Sequence, residues 1–143
     1  MAANLFRKYE VDGKKETEGV EITIDGCVFI CRRAGGGNRR YRAAIGLAAA
    51  DPALKARLDS KDTVEQITGE DEVTMAAFAE SVVIGWRDVL GRDDQPLEFT
   101  KENFLDLMRS CPDVWLNLRM AARDLDNFRV GQAVAAGEEL GKS

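Results

Sequence analysis

Phe99-Thr100 with Phe104 fixes the start of a helix more tightly than any other stretch of this chain. With Thr100 as N-cap, Phe99 stands at N′ and Phe104 at N4, the spacing of a hydrophobic staple that sets the angle at which the chain enters the helix. Phe104, Leu105, Leu107, Met108 and Cys111 then fall on one apolar face, which has to be covered. Pro112 ends that helix and sits in the first turn of the next, where its missing N–H costs nothing; Ser110 or Cys111 is the cap and Asp113 suits the helix dipole. Trp115, Leu118, Ala122 and Leu125 continue the apolar stripe, so two helices meet in a corner or hairpin. Upstream, Met75, Phe78, Ala79, Val82 and Trp86 recur at helical spacing. This predicts a long helix with an acidic start at Thr68-Gly69-Glu70-Asp71, reaching to about Leu90 and stopped by Gly91. A tight polar excursion containing Asp93-Asp94 separates it from the staple.

The first part of the chain has a different period. Val20-Glu21-Ile22-Thr23-Ile24 alternates apolar and polar residues, Asp25-Gly26 is a two-residue turn signal, and Cys27-Val28-Phe29-Ile30-Cys31 is an apolar run, a β-hairpin by pattern. Leu5-Phe6 with Tyr9 and Val11 is expected to add a strand or a docking arm, and residues 14–19 read as a solvated loop. Gly35-Gly36-Gly37 breaks the strand, Asn38 caps a helix through Tyr41, Ala44, Ile45 and Leu47, and Asp51-Pro52 opens a short helix carrying Leu54 and Leu58.

The expected fold is therefore α+β, with a small N-terminal β-hairpin or sheet followed by a predominantly helical bundle. A length of 143 residues fits a single domain over 1–143. Within it, 1–34 is the β element, 38–127 the bundle and 128–143 a weakly helical tail in which Gly131, Gly137 and Gly141 each cost about 1 kcal/mol relative to Ala. No run approaches the ~20 apolar residues of a membrane span, and the first residues lack the apolar stretch of a secretory signal, so a cytosolic protein is expected, with its three cysteines as free thiols. Residues 1–50 carry net +3 and residues 51–143 net −8, against −5 for the whole chain. A polyanion would meet repulsion everywhere but the first part.

The groups that catalysis requires are scarce. Histidine is absent, which removes the commonest metal ligand and the usual general base at neutral pH. Cys27 and Cys31 on one strand lie about 13 Å apart at ~3.3 Å per residue, too far to share a zinc ion. They and Cys111 read as small buried hydrophobes. The glycines at 35–37 match neither phosphate-loop pattern, and Gly141-Lys142-Ser143 spells only the end of one. Glu70-Asp71-Glu72 suits a helix N-terminus rather than an acid–base pair. No catalytic residue, metal or cofactor is expected. Arg32, Arg33, Arg39, Arg40 and Arg42 form the densest basic cluster, suited to carboxylates on a neighbouring subunit. With Tyr41 as a stacking ring they also suit a nucleic acid, the weaker reading given the overall acidity. Trp86, Phe99 and Trp115 are the aromatic candidates for protein contacts, although Trp86 and Trp115 fall on the apolar stripes and are better placed for core packing.

One stretch also resembles a known family. A helix ending in Gly85-Trp86, an Asp/Gly-containing turn, then Gln95-Pro96-Leu97-Glu98-Phe99-Thr100-Lys101-Glu102-Asn103-Phe104 and Cys111-Pro112-Asp113-Val114-Trp115 resemble the tail assembly chaperones of long-tailed, siphovirus-like bacteriophages. The likeness takes in Arg32-Arg33-Ala34-Gly35-Gly36-Gly37-Asn38-Arg39-Arg40-Tyr41 as well. It implies a non-enzymatic protein of the host cytoplasm that self-associates, coats the tape-measure protein and recruits tail-tube subunits. In that family some ribosomes change frame near the gene's end, and Leu140-Gly141-Lys142 is codable by a slippery run. A tail-completion or head-to-tail connector subunit and a small nucleic-acid-binding regulator are the rival expectations.

Overall fold

The hairpin forms where its alternation places it. In the computed structural model, which describes residues 2–131, strand β1 (Val20–Ile24) pairs antiparallel with β2 (Cys27–Cys31), Val20 opposite Cys31 and Ile24 opposite Cys27. Asp25 and Gly26 both have positive φ, as a two-residue turn joining right-twisted strands requires. The sheet then gains a third strand from far along the chain. β3 (Val83–Arg87) pairs antiparallel with the other edge of β2, Val28 opposite Arg87 and Cys31 opposite Val83, giving the order β1-β2-β3.

That strand corrects the expected helix to Leu90. Helix α5 runs Thr63–Ser81 and stops at Val82, whose N–H still donates to Phe78 O while its carbonyl accepts from Arg32 N–H at 2.8 Å. The helical spacing of Val82 and Trp86 is real in the sequence. It is overridden because Val82-Val83-Ile84 is β-branched and β2 offers an open row of backbone donors and acceptors. The start of α5 is corrected too. Asp62 is the N-cap, accepting from Val64 N–H at 2.9 Å, with Glu65 in the first turn, and Gly69 lies inside the helix. Glu70-Asp71-Glu72 is thus mid-helix. Glu72 pairs with Arg109 at 2.7 Å and Asp71 with Arg119 at 3.7 Å, tying α5 to the two helices that follow.

The N-terminal segment is helical where a strand or loop was expected. α1 (Leu5–Tyr9) buries no residue, and α2 (Gly13–Glu18) starts at Asp12, whose carboxylate accepts from Lys14 and Lys15 N–H. Val11 does pair, but only as a single bridge to Arg129. The other helices follow their sequence signals. α3 (Arg39–Ala50) is capped by Asn38 and α4 (Pro52–Leu58) by Asp51; α6 (Lys101–Ser110) is capped by Thr100, which accepts from Asn103 N–H at 3.0 Å. The rings of Phe99 and Phe104 meet edge to face at 6.4 Å, as the staple demands. α7 (Pro112–Arg123) follows at once, with Cys111 as a cap that makes no side-chain hydrogen bond.

The fold is α+β, and its core lies between the sheet and helices α5, α6 and α7. Phe29, Phe78, Phe104, Phe128, Ile22, Met108 and Leu118 are all fully buried there. Phe78 stands edge to face with Trp115 at 4.8 Å and with Tyr41 at 5.7 Å. Burying one such side chain contributes about 2–3 kcal/mol. The expected weak tail lies outside the described residues beyond Gly131, and Gly141-Lys142-Ser143 with it.

Candidate interaction site

The five arginines divide into two groups. The chain leaves β2 through Arg32, Arg33 and the glycines at 35–37, and enters α3 at Arg39. Arg33 turns inward to Glu16 of α2 at 3.3 Å, with side chains only 17% and 11% exposed. It is therefore internal, which removes it from the surface cluster. Gly36 is what seats this pair: its φ is +53°, and a Cβ there would sit 2.5 Å from Arg33 Nη1 and 3.0 Å from the Glu16 carboxylate. Gly37 also lies close, where a Cβ would sit 3.2 Å from the Glu16 carboxylate, so Gly36 and Gly37 serve an ion pair. Asn38 then ties the segment down: its Oδ1 accepts from Tyr41 N–H at 3.1 Å, and its Nδ2 donates to the carbonyls of Arg33 at 2.9 Å and Ser81 at 3.2 Å.

The remaining arginines line an open cleft of about 530 Å³ between α2 and the start of α3. Arg32 donates through Nε to the Thr17 carbonyl at 2.8 Å, which fixes its guanidinium at the cleft wall. Arg39, Arg40 and Arg42 are exposed, and no carboxylate pairs with them among the described residues. Tyr41 is not part of this surface. Its half-buried ring packs against the core at Phe78, where burial pushes its hydroxyl above the usual range despite Arg119 and Arg123 nearby.

Of the aromatic candidates, Trp115 is a core residue at 5% exposure and offers no surface contact. Trp86 is half-buried on β3 rather than on a helix. Its Nε1–H donates to Leu97 O at 2.7 Å, and its ring lies between Phe29 at 6.0 Å and Phe99 at 5.1 Å. Both Trp86 and Phe99 pack against the core from its edge.

Sequence periodicity missed the apolar surface that the fold does leave open. On α7, Leu116 and Met120 stand one turn apart on the outer face, 55% and 62% exposed, opposite the buried Trp115, Leu118 and Ala122. Beside them run two shallow depressions that share Asn117 and Ala121, one of about 400 Å³ reaching Ile22 and Ile24 of β1. The signal was present as two large apolar residues off the main stripe. Leu5, Phe6 and Tyr9 of α1 and Leu47, Val64 and Ile67 on α3 and α5 are exposed in the same way.

Cys31 is fully buried and Cys27 and Cys111 half-buried, all as free thiols; burial pushes Cys31 far above the ordinary thiol range. Among the described residues no three metal-ligating side chains converge, and no helix is long and apolar enough to cross a membrane. Compared with known proteins, residues 37–139 match a family described as YdaY prophage protein. No curated protein and no solved structure matches the chain.

Proposed function

The chain belongs to the YdaY prophage protein family, and from that premise we propose that it is a non-enzymatic tail assembly chaperone. In this reading it binds the tape-measure protein in the host cytoplasm and recruits tail-tube subunits while the tail is built. Its phage origin rests on the family; the chaperone role rests on the exposed apolar face of α7. Leu116 and Met120, exposed one helical turn apart, with the half-buried Ala121 and Ile24 in the neighbouring depression and polar Thr23, Asp25 and Asn117 at its rim, form the kind of surface that accepts an amphipathic helix. A tape measure is a long run of such helices, insoluble until covered. Several copies along one client would gain avidity beyond any single contact. The likeness of residues 95–115 to the chaperones' Pro, apolar residue, Phe and Ser/Thr, short helix and Pro-Asp-aromatic helix start supports the same role.

The test is co-expression with the tape-measure protein of the same prophage. The wild-type chain is expected to keep that product soluble and co-purify with it, and a Leu116→Glu, Met120→Glu variant of unchanged unfolding midpoint is expected to lose both effects. Absence of rescue by the wild type, with the chain instead retained in purified particles, would replace the chaperone by a tail-completion or connector subunit.

A further inference from the structure

Arg39, Arg40 and Arg42 of the cleft pair with no carboxylate among the described residues, and another part of the molecule carries carboxylates in a fitting form. After β3 the chain makes a narrow turn over residues 89–97. Leu97 N–H donates to Val89 O at 2.9 Å, Gly91 N–H to Gln95 O at 2.8 Å, and Asp94 N–H to Gly91 O at 3.0 Å. Arg92, the one cation of this turn, is drawn back onto α6, donating to both Asp106 oxygens at 2.8 and 3.3 Å and to Ser110 Oγ at 3.0 Å. That guanidinium holds the Asp106 carboxyl below the usual carboxylate range. Asp93 and Asp94 are left at the exposed tip with no cation paired to them among the described residues. The tip is preformed. Asp93 Oδ1 accepts from Gln95 N–H at 3.1 Å, and Asp94 sits at φ +60°.

Cleft and turn cannot meet within one molecule. Arg32 follows Cys31, which pairs with Val83 at one end of the sheet, whereas the turn departs after Arg87, which pairs with Val28 at the other end. We propose that the acidic turn of one copy seats in the arginine cleft of the next, Asp93 and Asp94 meeting Arg39, Arg40 and Arg42. The cleft's capacity of about 530 Å³ suits a tight turn and its two carboxylates. Glu16, the carboxylate on the cleft wall, is already committed to Arg33 and does not oppose the incoming charge. A carboxylate-bearing turn is favoured over a nucleic acid because residues 51–143 carry net −8 and would repel an extended phosphate chain. Because the two surfaces differ, the contact is heterologous: it propagates as a row of copies, or closes into a ring if the rotation between copies allows. It is independent of which client α7 binds.

The experiment uses two charge-reversed chains, Arg39→Glu with Arg40→Glu and Asp93→Arg with Asp94→Arg, followed by sedimentation at low and high ionic strength. The wild type is expected to form concentration-dependent assemblies that dissociate in salt. Each reversal alone should weaken association at least about tenfold. Mixed one to one, the two should associate again, since the intact turn of one meets the intact cleft of the other and the two reversed surfaces are themselves opposite in charge. A wild type that stays monomeric at low salt, assemblies indifferent to both reversals, or a mixture that fails to pair overturns the proposal. So does a cleft that binds a short single-stranded oligonucleotide, loses it on Arg39→Glu with Arg40→Glu, and gives no association of the mixed variants.

Discussion

Replacing Asn38 by Asp separates two roles that one side chain performs. As an N-cap, Asn38 accepts from Tyr41 N–H; as a tie, its amide nitrogen donates to the carbonyls of Arg33 and Ser81, joining the end of β2, the start of α3 and the end of α5. Asn38→Ala removes everything. The cap is worth about 1 kcal/mol. Each carbonyl left short of its donor costs about 1 kcal/mol more, so a loss of roughly 2–3 kcal/mol is expected. Asn38→Asp keeps an equally good cap, and a negative charge at a helix N-terminus is if anything favourable. But it places a carboxylate oxygen where the amide nitrogen lay 2.9 and 3.2 Å from two carbonyl oxygens. Both donors are lost and repulsion is added, so Asn38→Asp is expected to cost about 2 kcal/mol or more despite the intact cap. The introduced carboxyl has its folded-state pKa raised by those carbonyls. Its protonated form restores one donor, so the deficit shrinks as the pH falls through the carboxylate range and is full at neutral pH. Urea unfolding at constant m measures the difference directly. An Asn38→Asp chain as stable as the wild type, with Asn38→Ala down by only about 1 kcal/mol, would show that capping alone matters and refute the tie.

Gly69→Ala is expected to destabilise although alanine is favoured in a helix by about 1 kcal/mol, because the new Cβ would lie 2.9 Å from Arg57 Cβ and 3.2 Å from the backbone N of Leu58. A rise in the thermal midpoint would contradict the close approach of α4 to α5. Native-state labelling with a thiol reagent, read by intact mass, should modify Cys27 and Cys111 while Cys31 reacts only at the rate of unfolding. Because the folded Cys31 thiol is held protonated and the unfolded one is not, stability should fall as the pH rises through the ordinary thiol range. Labelling of Cys31 as fast as that of Cys27 in the folded chain would refute its burial.

The sequence by itself determined the elements whose signals are local. The Asp25-Gly26 hairpin, the Asn38, Asp51 and Thr100 caps, the Phe99/Phe104 staple and Pro112 at the start of α7 each depend on residues within a few positions of one another, and each formed as written. The start of α5 was equally local, in Asp62 and Glu65, and was obscured by the more acidic Glu70-Asp71-Glu72 downstream. What only the tertiary structure decided was how competing signals resolve. Residues 82–87 satisfy a helical period and a β-branched run alike, and the open edge of β2, more than fifty positions away in the chain, selected the strand. The same dependence on distant partners governs the site. Arg33 looks identical to Arg39 in the sequence, but Glu16 on a helix with no apolar face to announce it takes Arg33 inside and leaves Arg39 free. Local chemistry sets where a helix begins, whereas burial and pairing are properties of segments that meet only once the chain has folded.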